Sequence, residues 1–198
     1  MADDWTSSWS SLEARVGSDL IDGAVTWGAD PIEHSSVRRY LEPLEFDCAL
    51  HYDPESARAH GFADVVAPYT SVITFIIPPT WTPGQRVFTS DDRDAQPAVS
   101  AIDGSSLGVP PHITGFFATD MELDFIRPPV VGDRLGRRGN VLTACVPKWI
   151  SVGRGAFLTF ESEIVTEDLE VIARMRNTAF AYEPVGPPPV ADAVGALR

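Results

Sequence analysis

Two residue types that pass protons near neutral pH stand close together in the stretch EFDCALHYD, residues 45–53, where Asp47 precedes His51 and Asp53 follows it. A second feature is VVAPYTSV, residues 65–72, where an apolar run opens after Pro68. Proline has no N–H to give, so the amides of Tyr69 and Thr70 are the first free donors of a helix beginning there. The helix dipole favours negative charge at that point. Tyr69 either donates its hydroxyl or packs as an aromatic at the helix entrance. A third feature is cationic: Arg127, Arg134, Arg137, Arg138, Lys148 and Arg154 crowd one region of a chain with only 15 basic residues. Arginine grips phosphate with paired N–H groups, whereas charges on a strand edge also guard it against unwanted pairing. Arg127 and Arg154 are the candidates for the phosphate role.

Other chemistries find little support. His34, His60 and His112 lack partners at metal-ligand spacing, and Cys48 and Cys145 are far apart, so no metal site is expected. The cysteine usage suits a reduced compartment. There is no glycine-rich phosphate loop and no Gly-x-Ser-x-Gly elbow. A net charge of −13 opposes general affinity for nucleic acid or anionic membrane. No apolar run approaches the roughly 20 residues that span a bilayer, and the opening MADDWTSSWSS has no basic and apolar leader. The expected location is the cytoplasm.

The elements that must position these groups change in kind along the chain. Residues 8–16 suit a short helix and LIDGAVTW a strand. Val37, Tyr40, Leu41 and Leu44 fall on one helical face. Asp53 suits an N-cap, Pro54 a first turn and Gly61 an exit, predicting a second helix. VVAPYTSVITFIIPPTW is apolar on nearly every side until Pro78 and Pro79, the pattern of a helix buried all round. Residues 82–112 have no clear period and read as a mobile surface insertion or a substrate lid. From Ile113 onward the pattern is of strands: ATDMELDFIRP alternates, and GRRGNVLTACVPKW, GRGAFLTFESEIVTED and EVIARMRNTAFAYEP are long β-rich runs separated by turn residues. Helices followed by antiparallel strands make the fold class α+β. Residues 1–14 read as an N-terminal extension, 15–183 as the domain and 184–198 as a loose tail.

Three separated stretches, SVRRYLEPLEFDCALHYDPESARAHGFADVVAPYTSV, DMELDFIRPPVVGDRL and ISVGRGAFLTFESEIVTEDLEVIARMRNTAFAY, resemble the MaoC-like (R)-specific enoyl-thioester hydratases and the FAS1-like dehydratase domain. The resemblance implies a hot-dog fold, in which an antiparallel sheet wraps a central helix. It also implies reversible addition of water to a trans-2-enoyl thioester, or dehydration of a 3-hydroxyacyl thioester, carried by CoA or acyl carrier protein. No metal or redox cofactor is implied, because the thioester acidifies the α-carbon and the chemistry needs only proton transfers.

The family's hydratase motif is Gly-Asp-x-Asn-Pro-Leu-His-x-Asp. Here Leu50, His51 and Asp53 match it, while Glu45, Phe46, Cys48 and Ala49 replace the Gly, Asp, Asn and Pro. Three readings stay open. His51 is the general base with Asp47, one residue late, as its carboxylate. Or the chain is the non-catalytic half of a heteromer, shaping the acyl pocket of a partner hydratase. Or His51 is a capping or packing residue. In the family the helix-entrance amides, here those of Tyr69 and Thr70, polarise the thioester carbonyl, and Arg127 matches an Arg–Pro of the strand and turn. A hot-dog thioesterase ranks third, since VITFII offers no carboxylate to activate water. Hot-dog units join their sheets, so the expected assembly is a homodimer or a heteromer with a second hot-dog subunit.

Overall fold

The protein is described here by a computed structural model covering residues 4–95, 97, 108–110 and 112–185. Four long strands fall where the alternating and β-branched runs place them: β2 (Gly115–Phe125), β3 (Leu135–Ile150), β4 (Gly153–Thr166) and β5 (Val171–Glu183). A three-residue strand, β1 (Val25–Trp27), pairs with β3. Among the described residues the sheet order is β1-β3-β4-β5-β2, with every neighbour antiparallel. Because side chains alternate along a strand, Phe160, Ile164, Ala173 and Met175 share a buried inner face, while Glu161, Glu163, Arg174 and Arg176 share the outer one.

Two apolar clusters cover the inner face. In the first, Val37 and Leu41 of α2 (His34–Leu41) join Val65, Ala67, Val72 and Ile76 against Leu135, Ile164 and Met175. In the second, Trp9 and Leu12 lie against Leu142, Leu158, Phe160 and Ala181. Trp9 ends a 3-10 turn (Trp5–Trp9) and Leu12 belongs to α1 (Ser10–Glu13). Trp9 is 1% and Leu12 2% exposed, so these two residues of the expected N-terminal extension are built into the core. Full burial of each large aliphatic side chain stabilises by about 1.5–3 kcal/mol. Helical segments on the inner face of one antiparallel sheet make this an α+β hot-dog fold.

The central helix departs from expectation. In place of a long helix buried all round, a 3-10 turn (Tyr69–Ser71) leads into a single turn, α4 (Val72–Phe75). Ile77 is 49% exposed. The β-branched run Val72, Ile73, Thr74, Ile76 and Ile77 is a weak helix former, and the residue before Pro78 is driven out of the helical region. Strand β1 then abuts the helix end: the Ala29 amide donates to the Ile77 carbonyl, and a Cβ at Gly28 would collide with the Phe75 carbonyl.

The expected insertion, residues 82–112, includes positions 96, 98–107 and 111, which lie outside the described residues; most of the expected tail, 186–198, does too. Val109 and Ile113, beside the insertion's end, pack on the second cluster. No helix among the described residues is long and apolar enough to cross a membrane.

Candidate active site

The turn bearing His51 is fixed by backbone on both sides. After α2 a 3-10 turn (Glu42–Leu44) ends at Glu45, which adopts the left-handed conformation (φ 50°). This is where the family motif carries glycine, and a side chain there is strained. Residues 46–48, with Cys48 extended, then lead into the 3-10 turn Ala49–His51 and the helix α3 (Pro54–Ala59). Asp53 caps α3 as its sequence predicts, accepting from the amides of Glu55 (3.0 Å) and Ser56 (3.2 Å). Across from it, residues 65–67 run beside 129–131: Val131 donates to the Val65 carbonyl and Ala67 to the Pro129 carbonyl.

His51 is half-buried, and its Nδ1 lies 2.6 Å from the Val66 carbonyl oxygen. A carbonyl can only accept, so Nδ1 carries a proton, and in the neutral ring the lone pair is on Nε2. The Val66 amide in turn donates to the Leu50 carbonyl at 3.0 Å. The imidazole is therefore oriented by main chain, and among the described residues no carboxylate is hydrogen-bonded or ion-paired to it.

Phe46 occupies the motif's carboxylate position. Its ring centroid is 5.5 Å from that of His51 at an interplanar angle of 51°. The Tyr52 hydroxyl donates to the Phe46 carbonyl (2.7 Å), and the Arg38 guanidinium sits 6.0 Å from the Tyr52 ring. Asp47 is exposed and makes no hydrogen bond or ion pair among the described residues, so it is not brought to His51. Phe46, and not Asp47, is the residue whose side chain meets the imidazole.

Tyr69 and Thr70 stand at the helix entrance, both exposed, with the Tyr69 ring 4.3 Å from that of Phe125. Tyr69 is three residues beyond Val66, the partner of His51, so the entrance and the imidazole lie within about 11 Å of chain. The Tyr69 and Thr70 amides make no hydrogen bond among the described residues.

The candidate phosphate-binding arginines are engaged by carboxylates. Arg127 Nε and Nη2 donate to Glu170, and Nη1 donates to Asp133 (3.0 Å) and to the Pro128 carbonyl (3.0 Å). Asp133 also accepts from the Val130 amide. The result is a clamp that closes the Pro–Pro–Val–Val–Gly–Asp turn onto the end of the β4–β5 hairpin. The hydrogen bonds to Glu170 hold the Arg127 guanidinium firmly protonated despite its burial, and hold the Glu170 carboxyl below the usual range. Arg154 Nε donates to Glu183 at 2.7 Å, and Arg138 is bound to Glu163. Burial pushes the Arg137 guanidinium down.

Cys145 is no candidate nucleophile: burial, with Glu13 nearby, pushes its thiol up to about 11. No group of three or more potential metal ligands occurs among the described residues. A groove of about 570 Å³ lies away from His51 on the outer face of the sheet, lined by charged residues including Glu122, Asp124, Arg138 and Arg174.

Sequence reasoning missed the roles of Tyr52, Val66 and Asp19. The Asp19 carboxylate accepts from the amides of Ile21, Gly23 and Asn140, tying the segment before β1 to the bulge of β3. Desolvation raises its pKa, but these three hydrogen bonds outweigh that and hold it below the usual range. The signal available was Asp19–x–x–x–Gly23, a turn signature; its long-range partner Asn140 left none.

Residues 23–175 match the sequence pattern of the FAS1-like dehydratase domain region. A probable enoyl-CoA hydratase alpha subunit from Thermomonospora curvata is 27% identical over 173 residues, 87% of this chain and 51% of that protein. The chain thus spans about half the length of that relative. A UPF0336 protein from Clavibacter michiganensis is 29% identical over 147 residues, 73% of this chain and 82% of its own length. Among solved structures, a chain of the ChsH1–ChsH2 complex from Mycobacterium tuberculosis superposes with a TM-score of 0.60 at 21% identity, covering 95% of this chain and 96% of that one. That likeness shows the shared fold.

Proposed function

The chain belongs to the FAS1-like dehydratase domain family, and from that premise we propose that it is the supporting half of a two-chain acyl-thioester hydratase or dehydratase. In this reading a second hot-dog subunit supplies the paired carboxylate and imidazole. The present chain contributes part of the acyl pocket and the stacked sheet that holds it. The observation that carries the proposal is the Phe46–His51 contact: an aromatic ring occupies the carboxylate position, while Asp47 faces solvent. Addition of water to an enoyl thioester needs a proton taken from water and a proton delivered to the α-carbon. An apolar ring does neither. The alpha-subunit relative and the two-chain complex among the similar structures support a partnered enzyme. The substrate is an acyl thioester of CoA or acyl carrier protein, and no cofactor is needed. A CoA phosphate would have to displace Glu170 from Arg127 or Glu183 from Arg154 to use either.

One observation favours a second reading, a self-sufficient enzyme. The Nδ1–Val66 hydrogen bond makes Nε2 the nitrogen that bears the lone pair in the neutral His51 ring. Nε2 would take a proton from water as hydroxide adds to the β-carbon, then return it to the α-carbon on the same face. The Tyr69 and Thr70 amides would hold the enolate oxygen. The deciding experiment is hydration of crotonyl-CoA and a longer enoyl-CoA by the purified chain, beside His51→Ala. No turnover by the wild type on either substrate is the expected result. Turnover that falls by orders of magnitude in His51→Ala would establish the second reading instead.

A further inference from the structure

On each of the three central strands the inner face carries a polar residue where the two apolar clusters meet. On β3 it is Arg137, between Leu135 of the first cluster and Leu142 of the second. On β4 it is Ser162, between Ile164 and Phe160, and on β5 it is Asn177, between Met175 and Ala181. Register fixes their common face: Arg137 pairs with Ile164, Ser162 with Met175 and Asn177 with Phe160, each partner facing inward. The three form a diagonal polar seam. It ends at Met121 of β2, which is in register with Asn177 and is 42% exposed.

The seam lacks partners of its own. Arg137 is half-buried and makes no hydrogen bond or ion pair among the described residues. Burial alone acts on its guanidinium and disfavours the charge. Ser162 is 8% exposed, and its Oγ, like Asn177 Oδ1, is buried without a hydrogen-bond partner. Arg127, Arg138 and Arg154, by contrast, each meet a carboxylate. A sheet face built for stability alone would be apolar here, because buried polar groups and charges without partners oppose folding.

The chemistry of the seam selects what completes it. Water would satisfy Ser162 and Asn177 but would leave the guanidinium without a counter-charge. A phosphate with two negative charges calls for a second cation, and Arg137 is the one basic residue of the seam. A carboxylate carries one charge and matches the paired N–H groups of one guanidinium. From Arg137 to Met121 the seam crosses three strand spacings, about 14 Å, so the acid has a body longer than that of acetate. The unbranched side chain of Met121 repacks readily and can admit it.

We infer that the seam is a binding site for an organic acid with an apolar body, in which Arg137 and Ser162 donate to the carboxylate and the body runs towards Asn177 and Met121. The inference goes beyond the two-chain reading above and does not depend on it.

Isothermal titration of the full chain with octanoate and with octanol tests it, with no thioester and no partner subunit present. Octanoate is expected to bind about tenfold more tightly than the alcohol. Arg137→Met is expected to remove that preference, and Arg137→Lys, which keeps the charge but loses the fork, to retain part of it. Ser162→Ala is expected to weaken octanoate about fivefold and to leave octanol unchanged. Arg137→Met and Ser162→Ala each remove an unpaired group, so neither is expected to lower Tm, which separates lost binding from lost folding. Equal affinity for acid and alcohol would overturn the inference. So would no binding of either, or an acid preference that survives Arg137→Met.

Discussion

The ring of Phe46 stands 5.5 Å from the imidazole of His51, centroid to centroid, while the hydroxyl of Tyr52 holds the Phe46 carbonyl at 2.7 Å. The loop is thus fixed in a shape that presents residue 46, not residue 47, to the histidine. If only the side chain at that position separates this site from a working one, restoring a carboxylate there has a visible effect. Phe46→Asp is expected to raise crotonyl-CoA hydration about 100-fold over the wild-type background, and His51→Ala in the same variant is expected to abolish the gain. The measurement is loss of enoyl absorbance with time. An unchanged rate in Phe46→Asp would mean that more than the carboxylate is missing.

Glu45 precedes this loop in a left-handed conformation at φ 50°. Replacement by glycine relieves the clash between its Cβ and the backbone, offset in part by the greater freedom of glycine in the unfolded chain. Glu45→Gly is expected to stabilise by about 0.5–1 kcal/mol, a rise in Tm of roughly 1–4 °C. Calorimetry of the two proteins in one buffer decides it.

Arg127 ties the turn at Asp133 to the β4–β5 hairpin at Glu170 with a planar fork that lysine cannot reproduce. Arg127→Lys is expected to cost about 2 kcal/mol in urea unfolding. Most of the loss would come from the Asp133 side, because the Glu170 side chain is 54% exposed and its pair is screened. A neutral effect on stability would return Arg127 to the list of groups free to bind phosphate.

Asp19 offers a pH signature. Its carboxylate is held below the usual range by three backbone amides, so its contribution is present above the ordinary carboxylate pKa and is lost as pH falls through the lower folded value. Asp19→Asn removes the charge but keeps one acceptor oxygen. It is expected to cost about 1 kcal/mol at pH 7, and the gap to wild type should close below about pH 4. A gap that persists in strong acid would mean that shape, rather than charge, makes the site.

The sequence by itself determined the strands, because alternation and β-branched runs act locally: β4 and β5 lie within the segments whose patterns predict them, β2 starts three residues before its segment, and β3 overruns its own by one residue at each end. It determined α3 as well, since Asp53, Pro54 and Gly61 cap and close that helix with neighbours a few residues away. It also placed His51 against the motif by simple alignment. Only the tertiary structure decided what surrounds these parts. The apolar run after Pro68 reads as a long buried helix, yet it stops at Phe75, where β1 abuts the helix end and Pro78 forbids continuation. The cation cluster reads as a phosphate site, yet Glu170 and Glu183, 43 and 29 residues from their arginines, fill Arg127 and Arg154. Whether Asp47 or Phe46 meets His51 depends on a left-handed residue and on a hydroxyl six positions from its acceptor. Local pattern fixes an element's type because its causes lie within a few residues. Which side chains meet is set by partners that only folding brings together.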